Sequence, residues 1–288
     1  MKVIGLDIGG TKIKAGLVEG SRVIKKIEVE TKASQGRDKV VQKITRLVDL
    51  LNDKSVKGIG VGFPGMVDVK KGIVIRSPHI KCLNGFNIKK HLQKKFRKKV
   101  IISNEVKAAT LAEAKYGAGV GHKNFVFITL GTGIGGGVIA DGKMWCGKGN
   151  AVEIGHMTIN FDGIKSTCCN NYGCFEEYAS ARAIQRTFGK KINPKTIAEL
   201  AEKGNKKAKE AYKEFGKHLG VGLVNIANSF DPEVIIIGGG LAKSWNLFQK
   251  EMIKTIRQRE FVKTKIAKTK LEDGGIIGAA LLLKGIKK

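Results

Sequence analysis

The stretch VIGLDIGGTK, residues 3–12, is an apolar run that ends in an aspartate and leads into a glycine-rich turn. A short apolar run bounded by turn residues is typical of a buried β-strand. Because glycine has no Cβ, the backbone N–H groups of Gly9 and Gly10 can approach an anion closely. Asp7, at the end of the strand, could hold Mg²⁺ through water beside a bound phosphate. The segment therefore indicates a phosphate-binding turn with a metal-binding carboxylate.

Two more strand-like segments in the second half of the chain also lead into glycine-rich turns. The first, Phe125 to Leu130, is followed by Gly131 to Gly137, and the second, Glu233 to Ile237, by Gly238 to Gly240. The second turn is rich enough in glycine to wrap phosphates, and the third would let adenine and ribose lie against the backbone. Neither a Walker A sequence nor a GxGxxG helix start near the first strand is present.

The composition bounds the class of protein. The chain has 288 residues, of which 42% are hydrophobic, enough for two domains with a core each. The sequence has no apolar run near the roughly 18 to 20 residues of a membrane-spanning helix, and its start lacks the layout of a signal peptide. We therefore expect a cytoplasmic protein with no membrane partner.

The formal net charge of +28 raises the question of nucleic-acid binding. The lysines are spread through nearly every segment, with local clusters at Lys89 to Lys99 and Lys263 to Lys270, and neither cluster is interleaved with aromatic residues. We interpret them as a solvated, lysine-rich surface whose field helps attract an anionic nucleotide, with no nucleic acid as partner.

Strand and helix patterns alternate along the chain and indicate two α/β lobes with mixed sheets. We expect a smaller N-terminal lobe over residues 1–104 and a larger lobe over 105–275 that carries a cysteine-rich loop. A helix near residues 276–288 is expected to pack back on the first lobe.

Three such turns in this order, with Asp-x-Gly-Gly-Thr first, resemble the actin, Hsp70 and hexokinase superfamily of two-lobed, ribonuclease H-like ATPase folds, in which two phosphate turns face each other across an interdomain cleft. Within it the chain is similar to the ROK family, which includes sugar kinases. The segments that carry this resemblance are Asp7–Lys12, Gly62–Gly65, Asn104–Glu105, Leu130–Gly137, Glu153–Thr158, Cys168–Glu176 and Gly275–Ala280.

The resemblance implies an ATP- and Mg²⁺-dependent hexokinase, glucokinase first, with a kinase for another hexose or an N-acetylhexosamine as the alternative. It places Asp7 on Mg²⁺ and Glu105 as the general base. The residues expected at the sugar are Asn104, Glu153, His156, Glu176, Gly65 and His79. His79, where relatives often have Asn, could instead lie in a surface turn. The residues expected at ATP are Asp7, Gly9, Gly10, Thr11, Lys12, Gly131, Thr132, Gly133, Gly135, Gly238, Gly239 and Gly240.

The expected catalytic segment departs from the family's usual Asn-Asp-Ala-Asn. Here it is Asn104-Glu105-Val106-Lys107, so the carboxylate is one methylene longer and the second Asn is a lysine. A base misplaced by about 1 Å can cost roughly 100-fold in rate. An active kinase, a slow one and a sugar-binding pseudokinase all stay open, as does a helix-capping role for Glu105.

The cysteine loop departs as well. Relatives have a histidine and three cysteines for a structural zinc, and His156, Cys169 and Cys174 match them. Thr167 stands where the first cysteine would be, so Cys168 would have to serve as the fourth Zn²⁺ ligand. A metal-free loop with reduced thiols is the alternative.

A sugar-responsive repressor of the same family is a further alternative. Such repressors carry a helix-turn-helix domain before the Asp-x-Gly-Gly-Thr strand, and here that strand begins at residue 2. We therefore expect a kinase. The resemblance to the family, whose members are often dimers or tetramers, also implies a homodimer or homotetramer.

Overall fold

The computed structural model describes residues 1–149 and 152–284. The chain divides into two compact units. The first comprises Met1–Gly121 together with the chain from Lys270 onward, and the second comprises His122–Thr269. The first unit thus extends past residue 104.

A five-stranded mixed sheet forms the centre of the first unit. Its strands, in spatial order, are β3 (Arg22–Glu30), β2 (Lys12–Glu19), β1 (Lys2–Ile8), β4 (Val56–Phe63) and β7 (Lys99–Asn104). The first three pair antiparallel, while β4 and β7 run parallel to β1. A separate two-stranded ribbon is formed by β5 (Met66–Asp68) and β6 (Ile73–Arg76). The α-helices of this unit are α1 (Arg37–Asp49), α2 (Ile88–Phe96), α3 (Glu105–Tyr116) and α9 (Gly274–Leu281).

The two faces of strand β1 have different neighbours. Ile4, Leu6 and Ile8 are buried in a core cluster that includes the apolar sides of α1 and α2. Because successive side chains of a strand point to opposite faces, Val3 and Asp7 lie on the other face. Val3 packs there with Ile276 of α9. The fold therefore points Asp7 toward the beginning of α9.

The second unit repeats this sheet plan. Its strands, in spatial order, are β10 (Lys143–Trp145), β9 (Ile134–Ala140), β8 (Phe125–Leu130), β11 (Val234–Gly238) and β12 (Lys265–Lys268). The first three again pair antiparallel, and the last two run parallel to β8. The helices of this unit are α4 (Phe175–Tyr178), α5 (Ala181–Phe188), α6 (Pro194–Glu202), α7 (Lys206–Phe230) and α8 (Trp245–Arg259). Their mainly aliphatic core contains an aromatic group, in which Phe215 is in edge contact with Tyr212 and Phe248.

Each unit thus combines helices with a mixed sheet that has antiparallel strands at one edge and parallel strands at the other. This arrangement confirms the expected α/β fold class. Within the part of the chain that the structure describes, no helix is long and apolar enough to span a bilayer.

Candidate active site

The predicted site residues of the first unit gather at one edge of its sheet. Strands β1, β4 and β7 are parallel neighbours, with Asp7 opposite Gly62 and Phe63 opposite Asn104. Because the carboxyl ends of parallel strands lie at the same edge, the turn after β1 and the Asn104-Glu105 pair after β7 are brought to that edge. Neighbouring strands lie about 4.8 Å apart, so β1 and β7 are separated by about 10 Å.

The turn between β1 and β2 is a tight hairpin. Ile8 pairs with Ile13, and the Gly9 N–H donates to the Lys12 carbonyl at 2.9 Å. Thr31, just after β3, donates its hydroxyl to the Gly9 carbonyl at 2.7 Å and its N–H to the Thr11 carbonyl at 2.8 Å. Sequence reasoning missed Thr31, because only its place at the end of a strand could have signalled this contact.

Two side chains of this hairpin have defined surroundings. The Lys12 ammonium donates to Glu28 Oε1 at 2.6 Å across the β2–β3 pair. Burial raises the pKa of the Asp7 carboxyl; nearby Asp273 adds to the rise, whereas Lys14 and Lys26 oppose it. The Asp7 carboxylate lies against the first turn of α9, where a Cβ on Gly275 would be 2.5 Å from Asp7 Oδ2. The Asp7 carboxylate therefore has little room to move beside the start of α9.

Asn104 is the N-cap of α3. Its Oδ1 accepts from the N–H groups of Val106 at 2.9 Å and Lys107 at 3.1 Å. Its Nδ2 donates to Glu105 Oε2 at 2.9 Å and to the Gly65 carbonyl at 3.2 Å. An amide side chain has two donor hydrogens and two acceptor lone pairs, and here all four are used. The capping role considered for Glu105 belongs to Asn104, which also orients the Glu105 carboxylate.

His79 packs on the Gly9–Lys12 turn. A Cβ on Gly10 would lie 2.8 Å from His79 Cβ and 3.2 Å from its Cγ. The preceding residues pack on Gly65, where a Cβ would lie 3.3 Å from Pro78 Cδ. The segment that ends in His79 thus connects Gly65 to the Gly9–Lys12 turn.

The other two glycine-rich segments are neighbours in the second unit. Strands β8 and β11 are adjacent, with Thr129 opposite Gly238. Gly239 has φ +86, and a Cβ there would lie 2.4 Å from the Leu130 carbonyl oxygen, so both its conformation and its surroundings require glycine. The turn after β8 is only Gly131–Gly133. Gly135, expected within that turn, lies in β9 opposite Thr129.

Glu176 lies beside this turn. Its Oε2 accepts from the Ile134 N–H at 3.3 Å, and its Oε1 accepts from Arg182 Nη2 at 3.1 Å and from the Cys168 thiol at 2.7 Å. Glu153 and His156 are neighbours on the same short turn, where the His156 N–H donates to the Glu153 carbonyl at 3.0 Å.

The cysteine loop contains two groups of possible metal ligands among the described residues. In the first, the Cys169 sulfur lies 3.6 Å from both His156 Nδ1 and the Cys174 sulfur. Tetrahedral zinc has bonds of about 2.3 Å to sulfur and about 2.05 Å to nitrogen. These bonds would place a sulfur about 3.6 Å from the nitrogen and about 3.8 Å from a second sulfur. The two separations from the Cys169 sulfur are therefore close to those in a tetrahedral zinc site.

Cys168 belongs to the second group, with His156 and Glu176, and not to the first. Its sulfur lies 3.9 Å from His156 Nδ1, but its thiol donates to Glu176. Burial and this hydrogen bond raise the pKa of the Cys168 thiol to about 12. Thr167 accepts a hydrogen bond from Arg182 and donates its hydroxyl to Glu177. The structure thus brings together three of the four ligands expected from the sequence.

Comparison with known proteins identifies the family of the chain. The ROK family model matches residues 3–286. Glucokinase of Thermotoga maritima is 31% identical, covering 99% of this chain and 98% of that protein. The xylose repressor of Caldicellulosiruptor bescii is 32% identical over 96% of this chain and 76% of its own length. The crystal structure of a ROK glucokinase from Streptomyces griseus with glucose and AMPPNP has a TM-score of 0.88 at 31% identity, covering 98% of this chain and 99% of that one. Because the family model matches nearly the whole chain, this chain belongs to the ROK family.

Proposed function

We propose that this chain is an ATP-dependent hexokinase that transfers the γ-phosphoryl group of ATP to the 6-hydroxyl of glucose. The observation that carries the proposal is the edge of the first unit's sheet, where Asp7, the Gly9–Lys12 turn and the Asn104-Glu105 pair lie together. Phosphoryl transfer needs a cradle for phosphates, charge neutralisation and a carboxylate to accept the hydroxyl proton. In the proposal the Gly9–Lys12 backbone cradles the phosphates, Asp7 holds the Mg²⁺ that neutralises charge, and Glu105 accepts the proton.

Glu105 is the general base in this proposal. The hydrogen bond from Asn104 Nδ2 holds the carboxylate at the start of α3, which compensates for the extra methylene by fixing its direction. Asp7 would hold Mg²⁺ through water, and ATP with Mg²⁺ supplies the phosphoryl group and neutralises part of its charge. The backbone of the Gly9–Lys12 turn, fixed by Thr31, binds phosphate oxygens.

In the proposal, Glu153, His156 and Glu176 hold the sugar, because carboxylate and imidazole groups can exchange hydrogen bonds with its hydroxyls. Asn104 could bind a hydroxyl only by releasing Gly65 or Glu105, so we assign it to positioning of the base. Gly65 and His79 stay proposed contacts of the sugar. Another hexose or an N-acetylhexosamine is the alternative substrate.

A structural zinc is part of the proposal. His156, Cys169 and Cys174 would hold it, and it would fix the loop that carries His156 and leads to Glu176. Ligation through Nδ1 leaves the other ring nitrogen of His156 for a sugar hydroxyl. Cys168 would complete the tetrahedron only after leaving Glu176.

The test is Glu105→Gln, assayed with ATP, Mg²⁺ and a panel of hexoses and N-acetylhexosamines. Loss of the base should lower kcat by roughly 10²- to 10⁴-fold. Sugar affinity, measured by calorimetry, should stay within a few-fold, because the amide keeps the shape of the side chain. Glu105→Asp is the control, since it keeps a carboxylate and should retain much more activity than Glu105→Gln. Full turnover by Glu105→Gln would exclude Glu105 as the base.

A sugar-responsive repressor is the second candidate, favoured by the similarity to a xylose repressor. It predicts salt-dependent DNA binding that a sugar releases, without ATP turnover. Gel shifts and the kinase assay on the same preparation separate the two functions. Tight sugar binding with neither activity would indicate a pseudokinase.

A further inference from the structure

Arg182, the second residue of α5, contacts three acceptors in the second unit. Its Nη1 donates to Thr167 Oγ1 at 2.6 Å and its Nη2 to Glu176 Oε1 at 3.1 Å. The same Nη2 lies 3.4 Å from Glu177 Oε1. The two carboxylate side chains are 9% and 2% exposed, so both are nearly removed from water. A buried carboxylate is costly unless it is paired, and guanidinium offers donors in a fixed planar fork.

The partners of Arg182 belong to two different functional segments. Glu176 lies against the Gly131–Gly133 turn. Its Oε2 accepts from the Ile134 N–H at 3.3 Å, and a Cβ on Gly133 would lie 2.3 Å from that oxygen. Thr167 begins the run of residues that includes Cys168 and Cys169. Its N–H donates to Glu177 Oε1 at 3.1 Å. The Arg182 guanidinium therefore contacts Glu176, which lies against the Gly131–Gly133 turn, and Thr167, which precedes the two adjacent cysteines of the cysteine loop.

We propose that Arg182 is a positioning residue that orients the Glu176 carboxylate for sugar binding and holds the cysteine loop beside it. The part that concerns the sugar rests on the proposed function. Arg182 acts through Glu176: it occupies Oε1 and leaves Oε2 directed at the Gly133–Ile134 backbone. Without Arg182, Glu176 would be a buried carboxylate with only a thiol and one amide as partners, and it would turn toward water.

The neighbouring Arg186 provides a matched control. It lies one helical turn further along α5 and also reaches Glu177, with Nη1 3.9 Å from Glu177 Oε2. Its Nη2 donates to the Glu177 carbonyl. None of its described contacts is to Glu176 or Thr167. Replacing either arginine by methionine keeps the aliphatic stem and removes the charge, so the two variants differ in the contact with Glu176.

The first experiment compares the steady-state kinetics of Arg182→Met, Arg182→Lys and Arg186→Met. We expect the KM for the hexose to rise about tenfold or more in Arg182→Met, with kcat and the KM for ATP changed much less. Arg182→Lys keeps the charge without the fork and should recover part of the loss. Arg186→Met should keep a hexose KM within about twofold of the wild type. Equal hexose KM values in Arg182→Met and wild type would overturn the proposal.

The second experiment measures amide hydrogen exchange and does not depend on activity. Arg182→Met should lose protection at the Ile134 and Thr167 amides, both of which donate to carboxylates that Arg182 holds. Arg186→Met should retain protection at Ile134. Unchanged protection in Arg182→Met would overturn the positioning role even if the wild type phosphorylates no sugar, whereas the kinase assay alone tests the proposed function. If Arg182→Met does not fold, Thr167→Val tests the same network, because it removes the contacts of the hydroxyl with Arg182 and Glu177 and keeps the residue 167 amide. Thr167→Val should then lower protection at residue 167, and unchanged protection would overturn the proposal.

Discussion

Asp7 depends on the residue packed against it, Gly275. A Cβ at position 275 would lie 2.5 Å from Asp7 Oδ2 and 2.6 Å from its Cγ, closer than a Cβ approaches non-bonded atoms. Gly275→Ala must therefore displace the carboxylate or the start of α9, at a cost of about 1–3 kcal/mol in the free energy of unfolding. We also expect kcat to fall by about tenfold or more, because the displaced carboxylate is the proposed ligand of Mg²⁺. Thermal unfolding and a Mg²⁺ titration of turnover measure the two effects.

Gly274→Ala is the control for this prediction. A Cβ at position 274 would have its nearest neighbour at 3.5 Å, on Leu271, which is ordinary van der Waals contact. Alanine is also a better helix former than glycine, so stability should be unchanged or slightly higher. The argument about Asp7 fails if the two alanine variants have the same stability and the same Mg²⁺ dependence.

The sequence predicts the identity of these residues better than their partners. A carboxylate at position 105 follows from the pattern, but Asn104 and Glu105 can both accept from the first N–H groups of α3. Only the backbone geometry decides that Asn104, with φ −61 and ψ 142, is the cap. Thr31 and Arg182 show the same limit: each acts through contacts with residues that lie elsewhere in the sequence.

Elements were predictable where one local signal dominates. In helix α2 (Ile88–Phe96), Ile88, Leu92 and Phe96 recur at helical spacing. Strand β9 begins at Ile134, inside the segment Gly131 to Gly137 that was expected to be a turn, because its glycines pair with β8. The stretch from Phe175 to Phe230 contains four helices, α4 to α7. Asn193 and Asn205 cap the last two of these helices through their side chains.

The cysteine loop is the element with the clearest chemical prediction. In the group of His156, Cys169 and Cys174, the two separations from the Cys169 sulfur are close to those in a zinc site, whereas the Cys168 thiol is bonded to Glu176. We expect Cys169→Ser and Cys174→Ser to lose bound zinc, and Cys168→Ser to keep most of it with a water as the fourth ligand. The measurement is the zinc content of protein purified without chelators. Loss of zinc from Cys168→Ser as complete as from Cys169→Ser would instead assign Cys168 to the metal.

The whole molecule combines two units of the same sheet plan with a large excess of positive charge. The chain has 53 lysines and arginines against 25 acidic residues. Two lysines at or near the Gly9–Lys12 turn are already paired, Lys12 with Glu28 and Lys32 with Glu30. We therefore expect the unbalanced charge to act on ATP chiefly as a long-range field, which raises its rate of encounter rather than making one strong contact.

Such a field is screened by salt, whose Debye length falls from about 10 Å at 0.1 M to about 3 Å at 1 M. We expect the KM for ATP to rise several-fold between about 0.05 and 0.5 M salt, while the KM for glucose changes little because glucose carries no charge. The uncharged substrate is thus the internal control within one set of steady-state assays. If the two KM values rise together, salt acts on the fold or on the sugar site. If neither changes, the surface charge has no part in nucleotide capture, and its function must be sought in binding to other polyanions.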